Sequence, residues 1–377
     1  VLGVFHLVRL LFGSGALSLG VFTSLVSTPI GGWNDLALFF GLCILLSLVA
    51  LEQLPLTKWG KALFSTVVGF SLVMLAIVNF FAVWIVLGLV SLVVLMYTLT
   101  KDRFSEKTLT LEGKSNTVSM QSVILSVIVF LVSVIFIIGG GTVGAYIAQK
   151  THISYIEVRP SFSATTEIAR HVFAQNAFVG TGPNKFVDAW RMFKDPSINQ
   201  TIFWATDFRG ANGYITTQFV TTGILGMLSW LLFFGLFLFA GFKMLFRSVH
   251  VDRFWYFIGS SSFVAAVYLW CMSFIYVPGA AVLLLAGIFT STTFAAYSAL
   301  VSTRTLSFSI AANRRAGFVL VGVVMVIIVA ATGGLYFVGQ NFASMRTYGN
   351  AISGLQKGGD SKVAEQGMAD AYASSGN

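Results

Sequence analysis

Charged residues are scarce in this sequence. Only 10% of its 377 residues are Asp, Glu, Lys or Arg, whereas 56% are hydrophobic and the mean hydropathy is +0.85. Soluble domains carry about 25% charged residues, so this balance excludes a water-soluble globular protein. The chain is better divided into apolar spans of about 20 residues each. We therefore predict an all-α, polytopic membrane helix bundle.

Cysteine is also rare. The two cysteines, Cys43 and Cys271, both lie inside apolar stretches, where a free thiol behaves as a small hydrophobic group. Their number and spacing predict neither a disulfide framework nor a metal site. Acidic residues are outnumbered and the net charge is +9. Many of the cations lie in short loops between spans, so the excess positive charge does not indicate a nucleic-acid partner.

Eight apolar stretches predict eight membrane spans, four on each side of a long polar loop. They cover approximately residues 36–53, 62–79, 81–99, 120–147, 214–242, 254–276, 279–300 and 316–338. The corresponding regions are a partial, re-entrant or interfacial segment at 1–35, spans at 36–148, a loop at 149–213, spans at 214–339 and a tail at 340–377. Gly31 to Asp35 predict a tight turn in which Trp33 anchors the chain at the lipid headgroups.

The distribution of Lys and Arg predicts the orientation. Cations collect in alternate loops, and such loops face the cytoplasm. They are Lys58, Lys61, Lys101, Arg103, Lys107, Lys114, Lys243, Arg247, Arg253, Arg304, Arg314 and Arg315. The loop 149–213 and the tail would then lie outside the cytoplasmic membrane.

The tail after Gln340 is rich in Ala, Gly and Ser. Ala364, Met368 and Tyr372 recur at helical spacing, and the ending 371–376 resembles one helix of a tetratricopeptide repeat. A repeat would offer a surface for protein partners, and a flexible tail is the alternative interpretation. The chain opens on Val1 within an apolar run and ends on Asn377 within a helical pattern, which predicts a piece of a longer protein.

The long loop predicts two helices and a turn. The first helix runs from 161 to 176, with Ser161 or Ser163 as its cap. A glycine-proline turn follows at 180–184. Phe186, Ala189, Trp190 and Phe193 then recur at the spacing of an amphipathic helix, which we expect to lie on the membrane surface. Its aromatic stripe is more typical of packing than of substrate stacking.

These loop residues resemble a known family. Arg159, the helix that follows it and the turn Phe178-Val179-Gly180-Thr181-Gly182-Pro183-Asn184-Lys185-Phe186 resemble the outer-loop signature of O-antigen ligases and polymerases. The segment from Tyr214 to Gly226 is similar to the family's return into the next span. Trp204–Phe208 and Val220–Gly223 have parallels in a bacterial subgroup that carries tetratricopeptide repeats. One departure is clear, because Ala211-Asn212 stands where the family's ligases usually have His-Asn.

The resemblance implies a glycosyltransferase that needs neither a metal nor a cofactor. A glycan would pass from a polyprenyl diphosphate carrier in the membrane to an acceptor hydroxyl. Such a reaction needs cations near the diphosphate, for which arginine is suited, and a base near the hydroxyl. The candidates are Arg159, Asp207 and His171 for catalysis, and Arg170, Arg209, Gly180, Gly182 and Lys185 for substrate binding.

Several of these residues have simpler interpretations. Instead of acting in catalysis, Asp207 would cap a turn or pair with Arg209, and His171 would lie exposed on its helix. A different class of function is a non-catalytic membrane scaffold that presents a repeat domain, which the missing histidine favours. An ion-coupled transporter is disfavoured, because the spans have no charged residue deep inside them.

Overall fold

The computed structural model describes residues 1–105, 120–151, 153, 155, 157–247, 252–301, 314–356 and 358–374. The regular elements in these ranges are helices, which confirms the all-α prediction. They are α1 (Leu2–Phe12), α2 (Trp33–Gln53), α3 (Lys58–Val78), α4 (Phe81–Ser105), α5 (Met120–Thr151), α6 (Phe162–Asn176), α7 (Phe186–Phe193), α8 (Tyr214–Arg247), α9 (Arg253–Ile275), α10 (Ala280–Leu300), α11 (Arg314–Gln356) and α12 (Ser361–Ser374), with a short 3₁₀ helix at Pro196–Gln200.

The chain forms two compact units. One is Ile30–Thr303, and the other combines Val1–Pro29 with Arg304–Asn377. In the first unit, α2 to α3, α3 to α4 and α9 to α10 are each joined by only a few residues. Such short links favour antiparallel neighbours. Helix α2 packs on α3 and α9 packs on α10, whereas α4 packs mainly on α5.

Helix α2 is the central helix of the unit Ile30–Thr303. It packs against α3, α4, α5 and α9, and Leu36, Leu45 and Leu48 are fully buried. Gly41 permits a close approach of α9, because a Cβ there would clash with the Tyr268 hydroxyl. That hydroxyl donates a hydrogen bond to the Leu38 carbonyl at 3.2 Å. The antiparallel pair α2 and α9 therefore brings the start of one helix beside the end of the other.

The start of α2 corrects one prediction. Trp33 is buried within the bundle, so its assignment as a headgroup anchor is wrong. The physical reason lies two residues later, where the Asp35 carboxylate accepts a hydrogen bond from the Gly32 amide at 2.7 Å. This contact closes the first turn of α2, so Trp33 belongs to a helix that packs against α3, α4, α5 and α9.

Seven of the eight predicted spans fall on helices that are long and apolar enough to cross a membrane. These helices are α2, α3, α5, α8, α9, α10 and the part of α11 from Gly317. The predicted span 81–99 falls on α4, whose apolar stretch Phe81–Met96 is shorter. Of the predicted polar loop 101–118, residues 101–105 continue α4, and residues 106–118 lie outside the described residues, as does Arg304.

The second unit contains α1, α11 and α12. Helix α11 continues past the predicted end of its span to Gln356. The apolar pattern predicts the membrane-spanning part of a helix and does not predict the residue at which the helix ends. Helix α12 packs on α11, with Ala364 and Ala371 buried and Ser344 Oγ donating to the Ala371 carbonyl. This pair is a helical hairpin, and its assignment to a tetratricopeptide repeat stays a prediction.

Candidate functional site

A helical cap, residues 161–213, covers the start of α8. Its core confirms that the aromatic stripe of α7 is used for packing and contradicts the prediction that this stripe lies on the membrane. The buried residues are Ile168 and Val172 of α6, Phe186, Ala189 and Trp190 of α7, Ala211, and Val220 of α8. An apolar helical stripe fits lipid and protein equally well, and here α6 and α8 cover it.

The helical cap is joined to an interruption in α8. At Gly223 the backbone has φ +65° and ψ −160°, which is not helical. Three backbone hydrogen bonds connect the turn 177–182 to the two sides of this interruption. They run from Gly182 N to Thr221 O at 2.8 Å, from Ile224 N to Ala177 O at 2.9 Å and from Leu225 N to Phe178 O at 3.1 Å. The turn therefore pairs with backbone groups that the broken helix leaves open.

Gly180 and Gly182, predicted to bind substrate, lie in the turn 177–182 that pairs with α8. We call this turn and the interruption of α8 at Gly223 the joint. The φ angles of the two turn glycines are +62° and +98°, which other residues rarely adopt. A Cβ on Gly180 would also clash with the Val220 carbonyl oxygen of α8. The glycine turn thus has a structural reason, the close contact of two backbones, that is independent of any substrate.

Polar side chains gather at the end of the bundle beside the helical cap. Glu157 lies at the centre of the group, where its Oε2 accepts a hydrogen bond from Asn34 Nδ2 at 2.8 Å. Arg159 Nε is 3.8 Å from Glu157 Oε1, and Arg159 Nη1 donates to the carbonyls of Asn212, at 3.1 Å, and Ile275. We call Asn34, Asp35, Tyr155, Glu157, Arg159 and Tyr276 the Glu157 cluster.

Asp35 holds the helix ends together beneath this cluster. Its Oδ1 accepts a hydrogen bond from the Gly279 amide at 3.0 Å, and its carboxylate also bonds the Tyr276 side chain. Gly279 is the N-cap of α10, so the carboxylate faces the first turns of α2 and α10 together. The positive ends of two helix dipoles favour a negative charge there.

The surroundings of Glu157 change its acidity. Burial raises the pKa of the Glu157 carboxyl, and the nearby Asp35 adds to this, while Arg159 and the hydrogen bond from Asn34 act in the opposite direction. Burial and the neighbouring carboxylates likewise raise the pKa of the Tyr155 and Tyr276 hydroxyls. The side chains of Glu157 and Arg159 remain 20% and 32% exposed. The Glu157 carboxyl thus combines a raised pKa with partial exposure to solvent.

Among the predicted catalytic residues, Arg159 belongs to this cluster and Asp207 does not. Asp207 pairs with Arg191, whose Nε donates to Asp207 Oδ1 at 3.0 Å, so the suggested pairing with Arg209 is wrong. Hydrogen bonding by Arg191 lowers the pKa of the Asp207 carboxyl, which makes it a weaker base. The two residues form an exposed tie between α7 and the segment that follows it.

The remaining candidates lie on the surface of the helical cap. His171 stacks on Phe193 with ring centroids 5.3 Å apart, and its Nε2 is 3.3 Å from Glu167. Arg170 also pairs with Glu167, at 3.2 Å. Arg209 and Lys185 are exposed. None of these four residues belongs to the Glu157 cluster. The interpretation of His171 as an exposed helix residue is confirmed.

Sequence reasoning missed most of the cluster. The available signal was the pair Glu157-x-Arg159, two opposite charges in a chain where charge is scarce. Asn34, Asp35 and Tyr276 gave no such signal, because they are far from Glu157 in sequence and meet it only through the packing of α2 with α9. Within the described ranges, groups of three or more His, Cys, Asp or Glu residues suited to a metal ion are absent.

The fold defines the class of this protein. In the part of the chain that the structure describes, seven helices are long and apolar enough to cross a membrane and the regular elements are helical, which identifies a multi-pass membrane protein. Comparison with models of known protein families gave no match, and comparison with curated proteins also gave none.

Proposed function

We propose that this protein is a membrane glycosyltransferase of the O-antigen ligase and polymerase type. It would move a glycan from a polyprenyl diphosphate carrier to an acceptor hydroxyl at the outer face of the cytoplasmic membrane. The observation that carries the proposal is Glu157, a partly exposed carboxyl with a raised pKa, 3.8 Å from Arg159 at the end of the bundle. The resemblance of the surrounding loop supplies the substrate class.

In this proposal Glu157 replaces Asp207 and His171 as the base. The acceptor oxygen attacks the anomeric carbon, its proton passes to Glu157, and the bond from that carbon to the diphosphate oxygen breaks. The diphosphate leaves with the electron pair. A general base works best when its pKa lies near the working pH, and burial moves the pKa of Glu157 in that direction.

Arg159 serves as the cation. Its Nη1 atom is occupied by two carbonyl oxygens, which fix the guanidinium in place. Its Nη2 atom makes no hydrogen bond within the described part of the chain and can donate to a phosphate oxygen. A guanidinium fixed in advance stabilises charge that develops on the leaving diphosphate without further rearrangement.

The experiment measures lipid-linked glycan in cells whose only copy of this gene encodes the variant under test. Arg159→Ala and Glu157→Gln are compared with wild type, and Lys362→Ala and Glu365→Gln on the exposed surface of α12 serve as matched controls. We expect the first pair to accumulate polyprenyl-linked glycan at unchanged protein levels and the second pair to behave as wild type. Wild-type glycan profiles in both members of the first pair would refute the enzyme proposal.

One observation favours the second candidate, a non-catalytic membrane scaffold. The bonds from Arg159 to the carbonyls of Asn212 and Ile275 tie the cap to α9, as a purely structural residue would. The family's histidine is also replaced by Ala211. In a scaffold, the α11–α12 hairpin would begin a domain for protein partners. Arg159→Ala would then lower the unfolding temperature without changing the glycan pool.

A further inference from the structure

The interruption in α8 lies at a definite depth relative to a bilayer. The apolar part of this helix, Tyr214–Phe246, has 33 residues and is about 50 Å long. The hydrocarbon core is about 30 Å thick and needs about 20 helical residues. Counting about 20 residues back from Lys243, the first cation at the far end, reaches Gly223. A span whose far end is at Lys243 therefore has its other hydrocarbon boundary at Gly223.

The composition of α8 changes at the same point. The nine residues before Gly223, Tyr214–Thr222, contain four threonines and a glutamine, whereas the residues after it are almost all apolar. The turn 177–182 is fixed at this level by its backbone bonds to both sides of the interruption. Irregular backbone is tolerated at membrane depth only where its polar groups are paired. Here the three hydrogen bonds described above supply much of that pairing.

The tip of the turn carries two unpacked apolar side chains. Phe178 is 67% exposed and Val179 is 52% exposed. The Phe178 carbonyl accepts from the Leu225 amide, so the backbone of residue 178 lies beside the part of α8 that follows Gly223. In that part of α8, Leu225 and Leu228 are each 54% exposed. The turn and the span thus present neighbouring apolar groups at one depth.

We propose that Phe178 and Val179 insert into the outer edge of the bilayer and contact lipid acyl chains. Their neighbours on α8 are lipid-facing by the same proposal, so lipid contact continues from the span onto the turn. The helical cap is then held to the membrane by this turn and not by α7, whose apolar stripe is buried. The inference is independent of the glycosyltransferase proposal.

The test uses single cysteines that carry an environment-sensitive fluorophore. Phe178→Cys is compared with Met192→Cys, because Met192 on α7 is exposed to the same degree, 67%. Cys43 and Cys271 are replaced by alanine in both proteins. Each labelled protein is reconstituted into phosphatidylcholine–phosphatidylglycerol vesicles. Quenching is measured with a nitroxide near the headgroup end of the acyl chain and, separately, with aqueous iodide.

We expect the fluorophore at 178 to be quenched several-fold more strongly by the lipid nitroxide than the one at 192, and several-fold less by iodide. Equal quenching by iodide at both positions would overturn the proposal. Protection at 178 from both quenchers would also overturn it, since another protein surface would then cover the turn. Val179→Cys repeats the measurement, and an unfolding temperature equal to that of the cysteine-free protein verifies each fold.

Discussion

Replacing Gly223 by alanine tests whether the helical cap is held by the interruption in α8. The φ of +65° and ψ of −160° lie in a region that is essentially restricted to glycine. A Cβ would also be 2.6 Å from the Ala177 carbonyl oxygen and from the Gly180 amide nitrogen. Both are backbone atoms, so neither can move aside without moving the turn.

The expected cost has two parts. A strained backbone conformation costs about 1–3 kcal/mol. The three backbone hydrogen bonds between the turn and α8 contribute about 0.5–1.5 kcal/mol each, so their loss adds about 1.5–4.5 kcal/mol. We therefore expect Gly223→Ala to lower the free energy of unfolding of the joint by several kcal/mol.

Gly235→Ala is the matched control on the same helix. A Cβ there has nothing within 4 Å, and alanine improves helix propensity by about 1 kcal/mol. The assay combines thermal unfolding in detergent with limited proteolysis of the helical cap. Gly223→Ala should unfold at a lower temperature and be cleaved faster within 177–213, whereas Gly235→Ala should resist as wild type does. Equal behaviour of the two variants would refute the reasoning, because the turn would then not depend on the interruption.

Three further predictions concern the cap and the cluster. Trp190→Ala should cost about 3–5 kcal/mol in stability, since a buried indole is lost together with its hydrogen bond to the Thr206 carbonyl at 3.0 Å; Trp190→Phe should lose much less, and faster proteolysis of the cap measures both. Asp35→Ala removes two backbone hydrogen bonds to a carboxylate, each worth about 1.5–3 kcal/mol, besides the bond with the Tyr276 side chain. Its unfolding temperature should fall well below that of Asp35→Asn, and equal temperatures would contradict the two-helix role. Glu157 has a raised pKa in the folded state, so wild type loses stability as pH rises through that pKa. Above the ordinary glutamate pKa of about 4.3, the stability of Glu157→Gln relative to wild type should therefore increase with pH, as measured by thermal unfolding. A constant difference between the two proteins would contradict the pKa shift.

The helices of the cap show which features local sequence patterns predict. Ser161 caps α6, with its hydroxyl accepting from the Ala164 amide at 3.1 Å, and α7 occupies the range predicted from its apolar spacing. Capping and periodicity are local properties, so the sequence contains them directly. What covers the stripe of α7 is not local, because α6 and α8 approach it from other parts of the chain.

The candidate site likewise contains one residue that was predicted from the sequence and others that only the structure identifies. Arg159 was predicted through the family resemblance, and its role remains a proposal. Its companion Glu157 became a candidate only in the folded structure. There burial and the nearby Asp35 raise the pKa of the Glu157 carboxyl, while the hydrogen bond from Asn34 acts in the opposite direction. Asp207 and His171 have suitable side chains for a base, and the structure places them beside Arg191 and Phe193, outside the Glu157 cluster. Their catalytic role stays a prediction.

The sequence by itself determined that this is an all-helical membrane protein, because the hydrophobicity of successive segments of about 20 residues follows from composition alone. It also determined the loop helices and the glycine turn. Only the tertiary structure decided what the turn does, which is to pair with the open backbone of α8 at Gly223. It also decided which carboxylate is desolvated and still partly exposed. Both depend on contacts between residues far apart in sequence, and these exist only after the helices have packed.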